Sequence, residues 1–125
     1  MLLIDKQSNI PLYEQIIKQY KMLIVQNVLK QHDRLPSVRK LSVELSINPN
    51  TLQKAYSELE ANGICYSVAG RGRFVAKNAR DIIKKDKDKC VLKLEESVFN
   101  LATFDVSYDE IIDIVDKTFK GAKAD

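Results

Sequence analysis

The stretch LPSVRKLSVELSINPNTLQKAYSELEANG, residues 35–63, constrains this chain more than any other. It carries two segments of apolar periodicity interrupted by Ser46-Ile47-Asn48-Pro49-Asn50. Proline cannot continue the first segment's helix, yet its fixed φ suits the first turn of a second one. Asn48 or Asn50 can cap the amides of that second helix. The chain must bend there, with Ile47 as an apolar anchor inside the bend.

The flanking residues extend the pattern. Leu12, Ile16, Ile17, Tyr20, Leu23, Ile24, Val28 and Leu29 fall at helical spacing over residues 12–30, and Pro11 precedes them. Leu2, Leu3 and Ile4 form a short strand or packing arm ahead of that helix. Gln31-His32-Asp33-Arg34 is a polar connection, and Ser37 is the expected N-cap of a helix over residues 38–45. In the following helix Leu52, Ala55, Tyr56 and Leu59 face a core. Thr51, Gln53, Lys54, Ser57 and Glu58 occupy its other face, so the first turn, residues 50–54, is polar and exposed. Residues 64–68 and 73–76 are β-prone, and Ala69-Gly70-Arg71-Gly72 reads as the tip of a hairpin between them. Three helices followed by a hairpin make a winged helix-turn-helix.

Past Ala76 the composition changes. Residues 79–102 read as a helix with the stripe Ile83, Cys90, Val91, Leu94, Val98 and Leu101, and Lys84 to Lys89 form a solvated connector within it. Ser107-Tyr108-Asp109-Glu110 has the capping-box pattern and opens a last helix to about residue 120. Its apolar face is Tyr108, Ile111, Ile112, Val115 and Phe119. Two helices cannot bury two such stripes on each other alone, so a second subunit is expected over Val91, Leu94, Val98, Leu101, Ile111, Ile112, Val115 and Phe119. The expected fold is thus mainly α with a small β-hairpin wing. A DNA-binding domain occupies residues 1–77 and a helical dimerisation segment residues 78–125.

Charge separates the same two parts. The net +3 of the 125 residues divides into +6 over residues 1–80, with twelve basic against six acidic side chains, and −3 over the remainder, with eight against eleven. A polyanionic partner therefore suits the first part only. No apolar run is long enough to span a membrane. The start, MLLIDKQSNIP, has neither the basic nor the apolar region of a signal peptide. Cys65 and Cys90 lack motif spacing and fit a reduced, cytoplasmic setting. His32 is the sole histidine, and the Glu95-Glu96 and Asp109-Glu110 pairs are adjacent on helices, so no catalytic, metal or cofactor cluster emerges. An enzyme is not expected.

The polar first turn carries the chemistry. A helix-turn-helix puts the start of its second helix against base edges in the major groove of double-stranded DNA. Asn50 and Gln53 can pair bidentately with adenine, and Thr51 can bond phosphate or touch a thymine methyl. Lys54 can reach phosphate or guanine, and Arg39 can fork onto guanine or phosphate. Ser37 begins a helix whose N-terminus favours phosphate. Arg71 and Arg73, set around Gly70 and Gly72, suit the negative potential of the minor groove. The alternative is a winged-helix protein-interaction adaptor that reads no DNA.

Residues 11–76 also resemble the GntR family of bacterial transcription regulators. The resemblance rests on Pro11-Leu12-Tyr13-Glu14-Gln15-Ile16, Leu35-Pro36-Ser37-Val38-Arg39, Asn48-Pro49-Asn50-Thr51-Leu52, Tyr56-Ser57-Glu58-Leu59-Glu60, Gly63 and Gly70-Arg71-Gly72-Arg73-Phe74-Val75. It implies a dimer that binds operators, with DNA contacts at Arg39, the Asn50-Thr51-Gln53-Lys54 turn, Gly70 and Arg71. About 49 residues follow Ala76, too few for the large effector domain of most members. The chain is similar in this to the YtrA-type subfamily, whose short helical tail dimerises and whose members often repress. A small-molecule effector, if one exists, has no legible site.

Overall fold

Helix α1 (Leu12–Val25) turns Ile16, Ile17, Tyr20 and Ile24 inward at the three- and four-residue spacing that puts side chains on one helix face. These side chains form one wall of the core in the computed structural model, which describes residues 2–123. The outer ends of the two expected segments, Met1 and Ala124-Asp125, lie outside the described residues. The helix is shorter than the expected 12–30. Asn27 adopts φ 61°, and the amides of Val28 and Leu29 both donate to the Leu23 carbonyl, at 2.9 and 3.1 Å. Asparagine tolerates this left-handed turn, so the helix closes although Val28 and Leu29 continue its apolar spacing. Leu29 then folds back onto the core.

Helix α2 (Val38–Leu45) starts where expected, with Ser37 Oγ accepting the Lys40 amide at 3.1 Å. It ends at Ser46 in the left-handed region, φ 54°. Ile47 is buried, Asn48 Oδ1 accepts the Asn50 amide at 2.8 Å, and Pro49 opens helix α3 (Pro49–Ala61). Leu52, Ala55, Tyr56 and Leu59 are almost wholly buried against α1 and α2. Each side chain of the leucine class removed from water contributes roughly 1.5–3 kcal/mol. Tyr56 adds polar ties: its hydroxyl donates to the Pro36 carbonyl at 2.7 Å and lies 2.8 Å from the Tyr20 hydroxyl.

Strands β1 (Cys65–Val68) and β2 (Gly72–Val75) pair antiparallel, Cys65 opposite Val75 and Val68 opposite Gly72. Gly72, expected in the tip, is the first residue of β2. Residues 31–34, expected as a plain connection, do more than connect. The Val75 amide donates to Asp33 O at 2.9 Å, Leu35 N to Arg73 O at 2.8 Å and His32 N to Val75 O at 2.7 Å. Arg34 bridges Phe74, so this segment covers the outer edge of β2. The N-terminal residues form an arm rather than a strand. Leu2 and Ile4 pack on the core, while the Leu3 main chain is held by the Gln19 side chain.

Helix α4 (Ala79–Thr103) begins in the first of two compact units, Met1–Lys85, and ends in the second, Asp86–Asp125. Ala79 is buried in the first unit, with Ile82 and Ile83 packed beside it. In the second unit α4 leads to helix α5 (Tyr108–Lys123), where Ser107 Oγ accepts the Glu110 amide at 3.1 Å. Ile111 is the buried apolar residue of this unit among the described residues. Val98 and Leu101 are half-buried. Val91, Leu94, Ile112, Val115 and Phe119 stay exposed, together with Phe99 and Phe104.

Burial also fixes the chain's alkaline limit. Burial pushes the Cys65 thiol up to about 11 and Tyr20 to about 12, and it raises Tyr56 further. The folded state holds these protons longer than the unfolded chain does. Stability should therefore be intact below about pH 8.5 and fall as pH rises through the thiol and phenol range. Denaturant midpoints from pH 7 to 11 check this. The decline should be shallower in Cys65→Ala relative to that variant's own pH 7 midpoint.

Candidate nucleic-acid interface

The core-facing positions of α3 decide which side chains remain outside. With Leu52, Ala55, Tyr56 and Leu59 turned inward, Asn50, Gln53, Lys54, Ser57 and Glu58 are exposed and Thr51 is half-buried. Gln53 Nε2 donates to Ser57 Oγ at 3.1 Å, one turn on. The Lys54 ammonium stands 3.9 Å from the centre of the Tyr13 ring. This cation–π contact ties α3 to α1 and holds the charge at the edge of the polar turn. Arg39 is exposed on α2, and its carbonyl accepts the Ser42 hydroxyl at 2.9 Å.

The hairpin supplies a second group of cations. Gly70, at φ 76°, makes the turn that the Arg71 amide closes onto Val68 O at 2.9 Å. Arg71 is exposed at the tip. Arg73 behaves differently: its Nε lies 3.4 Å from Glu60 Oε1, and its guanidinium stands 5.4 Å from the Tyr56 ring. The same Glu60 oxygen accepts the Ser67 hydroxyl. Arg73 thus fastens the wing to α3, while Arg71 is left to face outward.

Two residues near this face have no periodic signal in the sequence. Lys6, on the N-terminal arm, donates to the Ser46 carbonyl at 2.8 Å and so holds a positive charge beside the helix-turn-helix bend. His32, with φ 68°, places Nδ1 2.8 Å from the Tyr66 hydroxyl, and Tyr66 stacks on Phe74. The His32 contact braces the wing's flank. Among the described residues no group of His, Cys, Asp and Glu could hold a metal ion. No described helix is long and apolar enough to cross a membrane.

A helix-turn-helix with an exposed amide-bearing first turn and a glycine-tipped hairpin defines the winged-helix class. The model of the gntR family of bacterial regulatory proteins matches residues 12–75, and the chain belongs to that family. It is similar to the HTH-type transcriptional repressor YtrA of Bacillus subtilis, with 45% identity over 70% of this chain and 67% of the relative. A transcriptional antiterminator from Listeria monocytogenes EGD-e shares the fold with a TM-score of 0.71 and 30% identity, covering 100% of this chain and 94% of that one. The AraR DNA-binding domain in complex with operator ORX1 matches 60% of this chain and 96% of its own, with a TM-score of 0.55 and 28% identity.

Arg39→Ala should weaken binding to a preferred duplex by about 1–3 kcal/mol while leaving unrelated duplexes nearly unchanged. An equal loss on all sequences would assign the arginine to phosphate. Lys54→Ala should lower the salt dependence of binding by about one ion, as for a lost phosphate contact. A slope identical to wild type would leave Lys54 as a clamp on Tyr13 alone.

Proposed function

We propose that this chain is a bacterial transcription regulator that binds a specific double-stranded DNA operator, acting as a homodimeric repressor in the cytoplasm rather than as an enzyme. The observation that carries the reading is the outward first turn of α3 on a winged helix of this family. The resemblance to the YtrA repressor supports repression, and the AraR domain's complex with its operator supports duplex DNA as the partner. Residues 1–77 provide the DNA-binding domain. Asn50, Thr51 and Gln53 enter the major groove with Arg39, Ser37 and Lys54 fix register on phosphates, and Gly70 and Arg71 carry the wing toward the minor groove. Arg73 supports the wing from behind through Glu60.

Residues 78–125 pair two copies. Their charge balance of nine basic against eleven acidic side chains disfavours phosphate contact, and their apolar surface suits a copy of itself. Val91, Leu94, Ile112, Val115 and Phe119 are exposed, Val98 and Leu101 half-buried and Ile111 buried. Two-fold pairing of this surface presents two recognition helices to an inverted repeat.

Selection of bound duplexes from a random pool tests the operator, its symmetry and its half-site spacing together. An inverted repeat with half-sites about one helical turn apart is expected. Absence of enrichment even at low salt would favour the protein-interaction adaptor instead. Val115→Asp combined with Phe119→Asp should convert the dimer to monomer in sedimentation. It should also reduce affinity for a two-half-site duplex by about a hundredfold, while binding to a single half-site stays near wild type.

A further inference from the structure

Arg34 lies outside every motif that marks the interface, yet the fold places it at the wing's root. Its main chain bridges Phe74, and the flanking Asp33 and Leu35 hydrogen-bond to β2. Held in this extended segment, its side chain runs across Gly72. A Cβ on residue 72 would lie 3.1 Å from the Arg34 Nε and 3.4 Å from Nη2. Gly72 therefore has two reasons to be glycine: its φ of +113°, which side-chain-bearing residues rarely adopt, and the bed it leaves for this guanidinium.

The charge that rests there is unspent. Arg34 is exposed and forms no ion pair with a carboxylate among the described residues, whereas Arg73, next to its bridge partner Phe74 on β2, is paired with Glu60. Arg34 also lines a cleft of about 450 Å³ with Leu35, Pro36, Ser37, Lys40 and Glu44. That cleft joins the root of the wing to the start of α2. Two cations and one acid line it, and Ser37 is already a candidate phosphate contact. A planar fork with a fixed approach is the group best suited to a phosphodiester oxygen pair.

We infer that Arg34 grips a phosphate of the bound duplex at the root of the wing, in the cleft that Lys40 also lines, and so positions the wing without reading bases. The inference rests on the DNA binding proposed above. The competing role is a purely structural brace between residues 32–35 and β2. The main chain already makes that brace, so truncating the side chain leaves it in place.

Fluorescence anisotropy of the full-length protein separates the two roles, using a selected operator duplex and a scrambled duplex of equal length between 50 and 200 mM salt. Arg34→Ala should weaken both duplexes by the same factor, about tenfold, and reduce the slope of log affinity against log salt by about 0.9. Arg34→Lys keeps the charge and should restore the slope. Gly72→Ala should reproduce part of the Arg34→Ala loss by displacing the guanidinium, with thermal melts reporting any damage to the wing. An unchanged slope in Arg34→Ala overturns the inference, as does a loss confined to the operator duplex or an Arg34→Lys slope as low as the alanine variant's. In each of those cases the wild-type protein still binds DNA and the proposed function stands. If the wild type itself shows no salt-dependent binding to either duplex, that function falls and the phosphate grip falls with it.

Discussion

The hydroxyl of Tyr56 joins three parts of the molecule by hydrogen bonds. It donates to the carbonyl of Pro36, contacts the hydroxyl of Tyr20 and sits on a ring that is 1% exposed. Through it α3 is held to α1 and to the loop that starts α2. The ring packs edge-on against Tyr20, with centroids 5.7 Å apart, and the Arg73 guanidinium stands 5.4 Å from its centre. A buried hydroxyl without partners would carry a desolvation cost of about 1–3 kcal/mol. Satisfied here, it specifies the rotation of α3 about its axis. That rotation in turn determines which side chains of the first turn meet solvent.

Because the inward face of α3 repeats at three- and four-residue spacing, its outward face was legible from residues alone. Leu52, Ala55, Tyr56 and Leu59 could not be buried without exposing Asn50, Gln53 and Lys54. Caps were legible for the same kind of reason: Ser37 and Asn48 are residues whose short side chains satisfy free amides, and both do so. The bend between α2 and α3 needed a left-handed residue, however, and Ser46 rather than an asparagine or glycine provides it.

What was illegible depended on pairing between distant segments. Residues 31–34 are polar and carry no alternation, so nothing local marks them as partners of β2. The hydrogen bonds of Asp33 and Leu35 to that strand are made by main chain, which is nearly blind to side-chain identity. The end of α1 was missed because Val28 and Leu29 keep the helical period while Asn27 breaks the backbone. Periodicity reports which side chains are apolar, and the backbone can reverse beneath an unbroken period when one residue accepts positive φ. Arg73 was equally unreadable, since its position beside Gly72 suggests an outward arginine until Glu60, thirteen residues earlier, is seen to hold it.

These differences change how the basic charge of the winged unit is understood. A count of cations treats Lys54, Arg71, Arg73 and Arg34 alike, yet the fold gives each a different freedom. Arg73 is neutralised by a carboxylate, Lys54 is held over an aromatic ring that leaves its charge intact, and Arg71 rides on a glycine turn. Arg34 has its main chain paired with β2 and its side chain laid over Gly72. Attraction to a polyanion depends on charge that remains uncompensated, and precision of grip depends on charge that is already oriented before the partner arrives. Arg34 and Arg71 meet the first condition, and Arg73 only the second. The wing therefore carries a charge laid over glycine at its root and an exposed charge on a glycine turn at its tip.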